Sequence, residues 1–233
     1  MPYRVYRYDR PSVETAYPVA IIGSQTYRRV QLELNGDVET FIVVFQPGGV
    51  DHLLSVSGAE LTNLHFDAYS VIGRTMSPLA DQLSEASSFK ARICIANQFF
   101  EAHRSGSLPL HHLASVAREI FGKQGCVRIS DLAAQTGLSL RQFERSFTQS
   151  IGLGPKIYAR IARFEAAVRS RERSPKKSWA AIACDLGYYD QMHMVHDFRH
   201  LSGDSPTCTA ALLHPFAEQS IGVESAREPI IRV

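Results

Sequence analysis

The strongest constraint on this chain is an internal repeat in its second half. One copy runs from Ile129 through Gly137 and Phe143 to Phe147 and closes with Gly152 and Pro155. The other runs from Trp179 through Gly187 and Met194 to Phe198 and closes with Gly203 and Pro206. Gly137 and Gly187 are 50 residues apart, whereas Phe147 and Phe198, Gly152 and Gly203, and Pro155 and Pro206 are 51 apart, so the second turn carries one added residue. Short helix, glycine turn and second helix, met twice in this register, predict two helix-turn-helix units.

Each part of the repeat has a physical reason. Ala133 and Ala183 are small enough to let two helices cross closely. Gly137 and Gly187 supply the positive φ that ends the first helix. Ser139 caps the next helix, with Gln142 three residues on completing a capping box, and Asp190 is the corresponding cap in the second copy. Phe143 and Phe147, like Met194 and Phe198, lie one turn apart and are expected to face the core. That leaves Arg141, Glu144 and Arg145 outward on the first helix, and Gln191, Met192, Val195 and His196 outward on the second. Arginine can donate two hydrogen bonds to guanine, a carboxylate accepts from cytosine, glutamine suits adenine, and apolar groups suit a thymine methyl.

A helix with Pro155 in its first turn joins the two units. Ile157, Ile161, Phe164 and Val168 are expected to form its apolar face, with Lys156, Arg160, Arg163, Arg169, Arg171 and Arg173 elsewhere. Some of these, with Ser139, Lys176, Lys177 and Arg199, are expected to contact phosphate, which holds register without reading sequence. Between Cys126 and Pro206 there are twelve Lys or Arg against eight Asp or Glu, a balance of +4, while the remainder carries a balance of −2. Basic charge is thus gathered where the repeat lies, as a polyanion-binding module requires. His193, His196 and His200 add to it when protonated.

The first half reads differently. Pro18–Gly23, Arg28–Leu34 and Val38–Phe45 are β-branched or alternating runs, the last two separated by Asn35-Gly36-Asp37, a hairpin signal. Pro47-Gly48-Gly49 ends the strands. Leu79–Leu83 and Phe89–His103 read as helical, with Phe89, Ile93, Ala96 and Phe100 on one face. Arg104–Pro109 is the expected linker, and His111–Phe121 is an amphipathic helix with Leu113, Val116 and Ile120 inward. No apolar run reaches the length of about 18 residues that spans a bilayer, and the N-terminus lacks the order of a signal peptide. Four separated cysteines, Cys94, Cys126, Cys184 and Cys208, form no C-x-x-C pair and fit a reducing cytoplasm.

In its second half the chain resembles the AraC/XylS family of bacterial transcription regulators. The likeness rests on Ile129-Ser-Asp-Leu-Ala, on Ile182-Ala-Cys-Asp-Leu-Gly-Tyr-Tyr-Asp-Gln191 and on Gly203-Asp-Ser-Pro206, and it covers roughly His111 to His214. It implies a seven-helix unit whose two recognition helices enter successive major grooves of duplex DNA, with base-facing roles on Arg141, Glu144, Arg145, Gln191, Met192, Val195 and His196. His196 stands where relatives often have arginine, so charge there is conditional and the second unit is expected to bind more weakly or prefer another half-site. Gly23-Ser-Gln-Thr26, Phe45-Gln-Pro-Gly-Gly49 and Glu60-Leu-Thr-Asn63 resemble the family's sensor region, a cupin-type barrel followed by helices, with several early strands missing here. Two explanations stay open: a truncated product, or a dimer partner that covers the exposed strand edges.

The expected architecture is therefore α+β. A short, cupin-like β-rich sensor or dimerisation region spans residues 1–106, an all-α double helix-turn-helix domain 107–215, and a tail 216–233. The expected partner is double-stranded DNA, with homodimerisation through the N-terminal region, a small-molecule effector and RNA polymerase as further partners, and no cofactor. Activation against repression is not legible. An enzyme is disfavoured: His52 and His65 have no ligand partner at metal-binding spacing, His111 and His112 point apart on a helix, and no nucleophile or phosphate-loop motif occurs. Thr207-Cys208-Thr209 lacks the reactive context of a methyl-accepting cysteine. The remaining rival is an antagonist that does not bind DNA and pairs with a full-length regulator.

Overall fold

The structure, a computed structural model, describes residues 3–7, 13–15, 17–26, 30–34, 39–103 and 112–211; for 3–7, 13–15 and 30–34 the description is of the backbone alone. The expected linker at Arg104–Pro109, the Asn35-Gly36-Asp37 turn and the tail at 216–233 lie outside the described residues.

The N-terminal strands are β1 (Tyr3–Arg7), β2 (Val13–Thr15), β3 (Ala20–Ile22) and β4 (Val30–Leu34), and a fifth, β5 (His65–Asp67), follows two short helices. They make two antiparallel sheets, one ordered β2-β1-β4 and one pairing β3 with β5. The register sets Val5 opposite both Glu14 and Leu32, and Ile21 opposite Phe66. Among the described residues the strands do not close into the expected cupin-like barrel. Nor does the expected hairpin form: β4 pairs with β1, and residues 39–46 carry no regular secondary structure. Their period-2 alternation serves another end. Phe41, Val43 and Phe45 pack against Ala96 and Phe100 of a helix, while Ile42 and Val44 point outward.

Helices take over at Gly48, whose φ of 78° lets the chain turn into α1 (Gly49–Leu54). Then come α2 (Gly58–Leu61), α3 (Ala68–Ile72), α4 (Met76–Glu85) and α5 (Phe89–Ala102). The two expected helices are thus present as α4 and α5; α1, α2 and α3 are additional. Ser88 caps α5 by accepting from Ala91 N. Ile21, Leu61, Ala68, Met76 and Leu79 form the core of this half.

The second half is wholly helical: α6 (His112–Gly122), α7 (Ile129–Gln135), α8 (Leu140–Ile151), α9 (Pro155–Arg173), α10 (Trp179–Asp185), α11 (Gln191–Leu201) and a last helix, α12, at 206–211. Leu113, Val116 and Ile120 of α6 are buried as the periodicity requires. Two cores hang on α9. The first joins α6, α7 and α8 to Ala159 and Ala162; the second joins α10 and α11 to Ala166, Ala167 and Val168. The inward stripe of α9 is therefore mainly alanine, and Ile157, Ile161 and Phe164 are only half-buried. Small side chains let both units press close on one helix axis; larger ones flank the contact.

The halves meet at the C-terminal end of α8. Ser57 Oγ donates to Gln149 O at 2.9 Å, and Thr62 Oγ1 donates to Gly152 O. Backbones touch directly there, since a Cβ on Gly58 would lie 2.7 Å from Gly152 N and 2.8 Å from Ser150 O.

Candidate nucleic-acid interface

Both helix-turn-helix units form as the repeat predicts. Gly137 (φ 70°) and Gly187 (φ 64°) take the left-handed conformation that lets the chain leave α7 and α10. Ser139 opens α8 with a complete capping box: its Oγ accepts from Gln142 N, and Gln142 Oε1 accepts from Ser139 N at 3.1 Å. Asp190 caps α11 by accepting from His193 N at 2.7 Å. Ser178, a cap the sequence reading did not use, does the same for α10 through Ala181 N. The inner faces are fully buried on Phe143, Phe147, Met194 and Phe198, with Ala133 and Ala183 at the helix crossings. Each second helix is thus clamped from behind and capped at its N-terminus, which fixes the rotation of its outer face.

On α8 that outer face carries Arg141 and Arg145, both exposed, and Glu144, half-buried. Glu144 pairs with Lys156 of α9 at 3.2 Å. Two residues expected to meet DNA therefore meet each other in the free protein; at a solvated surface such a pair is worth only about 0–1 kcal/mol. On α11, Gln191, Met192 and His196 are exposed and Val195 is half-buried. Among the expected phosphate contacts, Ser139, Lys176 and Arg199 are exposed, while Lys177 is half-buried and held by Asp185.

Partners sort the basic residues better than position does. Arg160 is bound to buried Asp197, Arg163 donates to Gly125 O at 3.0 Å, and Arg169 pairs with Glu165. Arg171 donates to Pro175 O and lies 4.1 Å from the Trp179 ring centroid. All four arginines have partners within the domain, so the basic face expected on the joining helix is largely spent on internal contacts. Arg128, Arg141, Arg145, Arg173, Lys176 and Arg199 have no ion-pair partner among the described residues.

Three exposed residues beside the recognition helices escaped the sequence reading. Tyr189, just before the α11 cap, is 93% exposed; Leu140 opens α8 and is 44% exposed. Arg128 precedes α7 and is also exposed. The adjacent tyrosines gave no signal of which points out: Tyr188 is buried, and burial raises its phenol pKa, with Asp197 adding to the shift.

Among the described residues no group of three His, Cys, Asp or Glu is placed to hold a metal, and no helix is long and apolar enough to cross a membrane. Residues 132–211 match the family model described as a helix-turn-helix domain. No curated protein and no solved structure matches the chain.

Proposed function

We propose that the protein, whose residues 132–211 match a helix-turn-helix domain, is a sequence-specific transcription regulator of the AraC type, reading two adjacent major grooves. The observation that carries this reading is the doubling. Two capped, rear-clamped helices, α8 and α11, stand on one connecting helix, each with an outer face of hydrogen-bonding and apolar side chains. A single solvated helix face has many uses. Two in register, separated by a helix that anchors both, fit successive grooves of a duplex.

In this reading Arg141 and Arg145 supply most base discrimination, because they are exposed and unpaired. Glu144 exchanges Lys156 for a base edge, and Lys156 then turns to phosphate. Gln191, Met192, Val195 and His196 read the second groove, with Tyr189 at its entrance. Ser139, Lys176, Arg199 and Arg128 hold the backbone; Lys177 joins them only by giving up Asp185. The N-terminal half is the part that dimerises or senses a small molecule, and its helix α2 reaches α8 directly.

Selection of bound duplexes from a random pool, followed by affinity across a salt series, tests the proposal. A recovered two-part motif supports it; binding set by salt alone, with no motif, refutes it. Arg145→Ala is expected to cost about 1–3 kcal/mol and to relax one base position. A uniform loss over all sequences would instead make Arg145 a phosphate contact.

A further inference from the structure

We propose that a polar seam between the two helix-turn-helix units, built from Gly125, Cys126, Arg163, Leu186 and Tyr188, sets the half-site spacing this protein accepts. The inference rests on the two-groove reading above and adds to it the residues that determine spacing.

The two apolar cores have no residue in common, so side-chain packing alone does not tie one unit to the other. What they share is α9, and a helix can bend or let an attached unit tilt about it. The seam supplies the missing lateral tie. It starts in the turn between α6 and α7, which is pressed hard against α9. Gly125 is buried with φ +74°, and a Cβ there would lie 2.1 Å from Ala159 O. From this turn Cys126 Sγ donates to Leu186 O at 3.1 Å, in the turn of the second unit. The φ of 64° at Gly187 turns the chain there, while the space beside it is not tight: an added Cβ would stand 3.8 Å from the same sulfur, an ordinary contact distance. Arg163 closes the loop from α9: its Nη2 donates to Gly125 O at 3.0 Å, and its guanidinium lies 5.1 Å from the Tyr188 ring centroid. One side chain thus touches the entry turn of the first unit and the central turn of the second.

These contacts are directional. Apolar packing tolerates small slides, whereas a guanidinium–carbonyl bond weakens steeply with angle. A tie of this kind fixes orientation more than it adds stability. The consequence follows from duplex geometry. One added base pair moves the far half-site by about 3.4 Å and rotates it by about 35°. A locked pair of helices cannot follow that rotation; a pair free to tilt about α9 can follow part of it.

The test uses the full chain and the two-part site recovered by selection, with one or two base pairs inserted or deleted between the halves. Wild type is expected to lose at least about tenfold in affinity for a one-base-pair change. Arg163→Met removes the fork but keeps bulk, and is expected to reduce that ratio to about threefold or less. Because spacing preference is a ratio, a uniform loss from the missing charge cancels. Cys126→Ala leaves every charge in place and is expected to broaden the profile in the same direction, which keeps the test available should Arg163→Met fail to fold. Tolerance of the one-base-pair change by wild type overturns the inference. So does a wild-type ratio in folded variants of both positions. Failure to recover any two-part site would instead remove the reading on which the inference stands.

Discussion

Replacing Arg160 by methionine probes how the second unit is held on α9. Asp197 of α11 is 1% exposed, and both contacts from Arg160, Nε at 2.9 Å and Nη2 at 2.8 Å, fall on Oδ1. The other oxygen, Oδ2, is buried with no hydrogen-bond partner among the described residues. Removing one member of a buried ion pair leaves the other charge in a medium that solvates it poorly, at a cost of about 3–5 kcal/mol. Two features set the expected value at the low end. The Arg160 side chain is 33% exposed, so water reaches its side of the pair, and a second cation, Arg163, stands near Tyr188, on which the Asp197 charge also acts. Arg160→Met should therefore destabilise by about 3 kcal/mol. With a urea slope of about 1–3 kcal/mol/M, the midpoint falls by about 1–3 M. The double variant R160M/D197L removes the desolvation penalty together with the attraction and should return to within about 1 kcal/mol of wild type. Urea unfolding of wild type, both single variants and the double variant, followed by circular dichroism, gives the full cycle. An unmoved midpoint in Arg160→Met, or a double variant as unstable as Arg160→Met alone, would refute the argument that Arg160 acts by solvating Asp197.

Two further outcomes are expected. Gly58→Ala places a Cβ against the backbone of Ile151 and Gly152, and neither neighbour is a side chain able to move aside. It should cost about 1–3 kcal/mol and speed amide exchange at Gln149–Gly152; unchanged exchange there would show that α2 does not restrain α8. Burial, with a smaller contribution from Glu165, pushes the Tyr158 phenol up to about 12, and burial likewise raises Tyr188. A raised folded pKa means that this stabilisation is complete below the unfolded value of about 10 and is lost as pH rises through the folded values. Stability should fall above pH 10 by about 1.4 kcal/mol per unit for each of the two tyrosines. Absorbance titration finding both phenols ionised near pH 10 in folded protein would contradict this.

What could be read from sequence was what is decided locally. A glycine at the end of a short helix, Ser139 with Gln142 three residues on, and Asp190 before α11 each act within a few residues, and each appears as expected. The first half depends on distant partners. Asn35-Gly36-Asp37 suggested that β4 pairs with the run after it, yet its partner is β1, near the start of the chain. The alternation of Phe41, Val43 and Phe45 suits a helix surface as well as a sheet, and periodicity cannot tell the two apart. On α9 the larger apolar residues marked the stripe only in part. Val168 is buried and Phe164 packs on the second core, but Ile157 and Ile161 are half-buried. Close approach of two units selects instead for the small side chains of Ala159, Ala162, Ala166 and Ala167. Basic residues could be counted, but their partners could not. Arg160 and Arg163 read like Arg141 and Arg145 until Asp197 and the Gly125 carbonyl are seen beside them.

The partners also explain why the units are unequal. Leu138 packs on the first core directly after Gly137, and Tyr188 packs on the second directly after Gly187. The caps, Ser139 and Asp190, then stand one residue and two residues further on. Tyr189 is therefore the added residue, and it is the one that projects, 93% exposed, beside the N-terminus of α11. A spacer needed only to lengthen a turn has no use for a large aromatic ring in water. The first unit presents two unpaired arginines on α8; the second has the imidazole of His196 on its outer face and a phenol beside the start of α11. An aromatic ring with a hydroxyl at its tip can pack against sugar or a thymine methyl and still donate to phosphate. On the two-groove reading proposed above, the added residue is therefore expected to give the second unit a contact that does not depend on protonation, at the end of the helix where a recognition helix meets the groove.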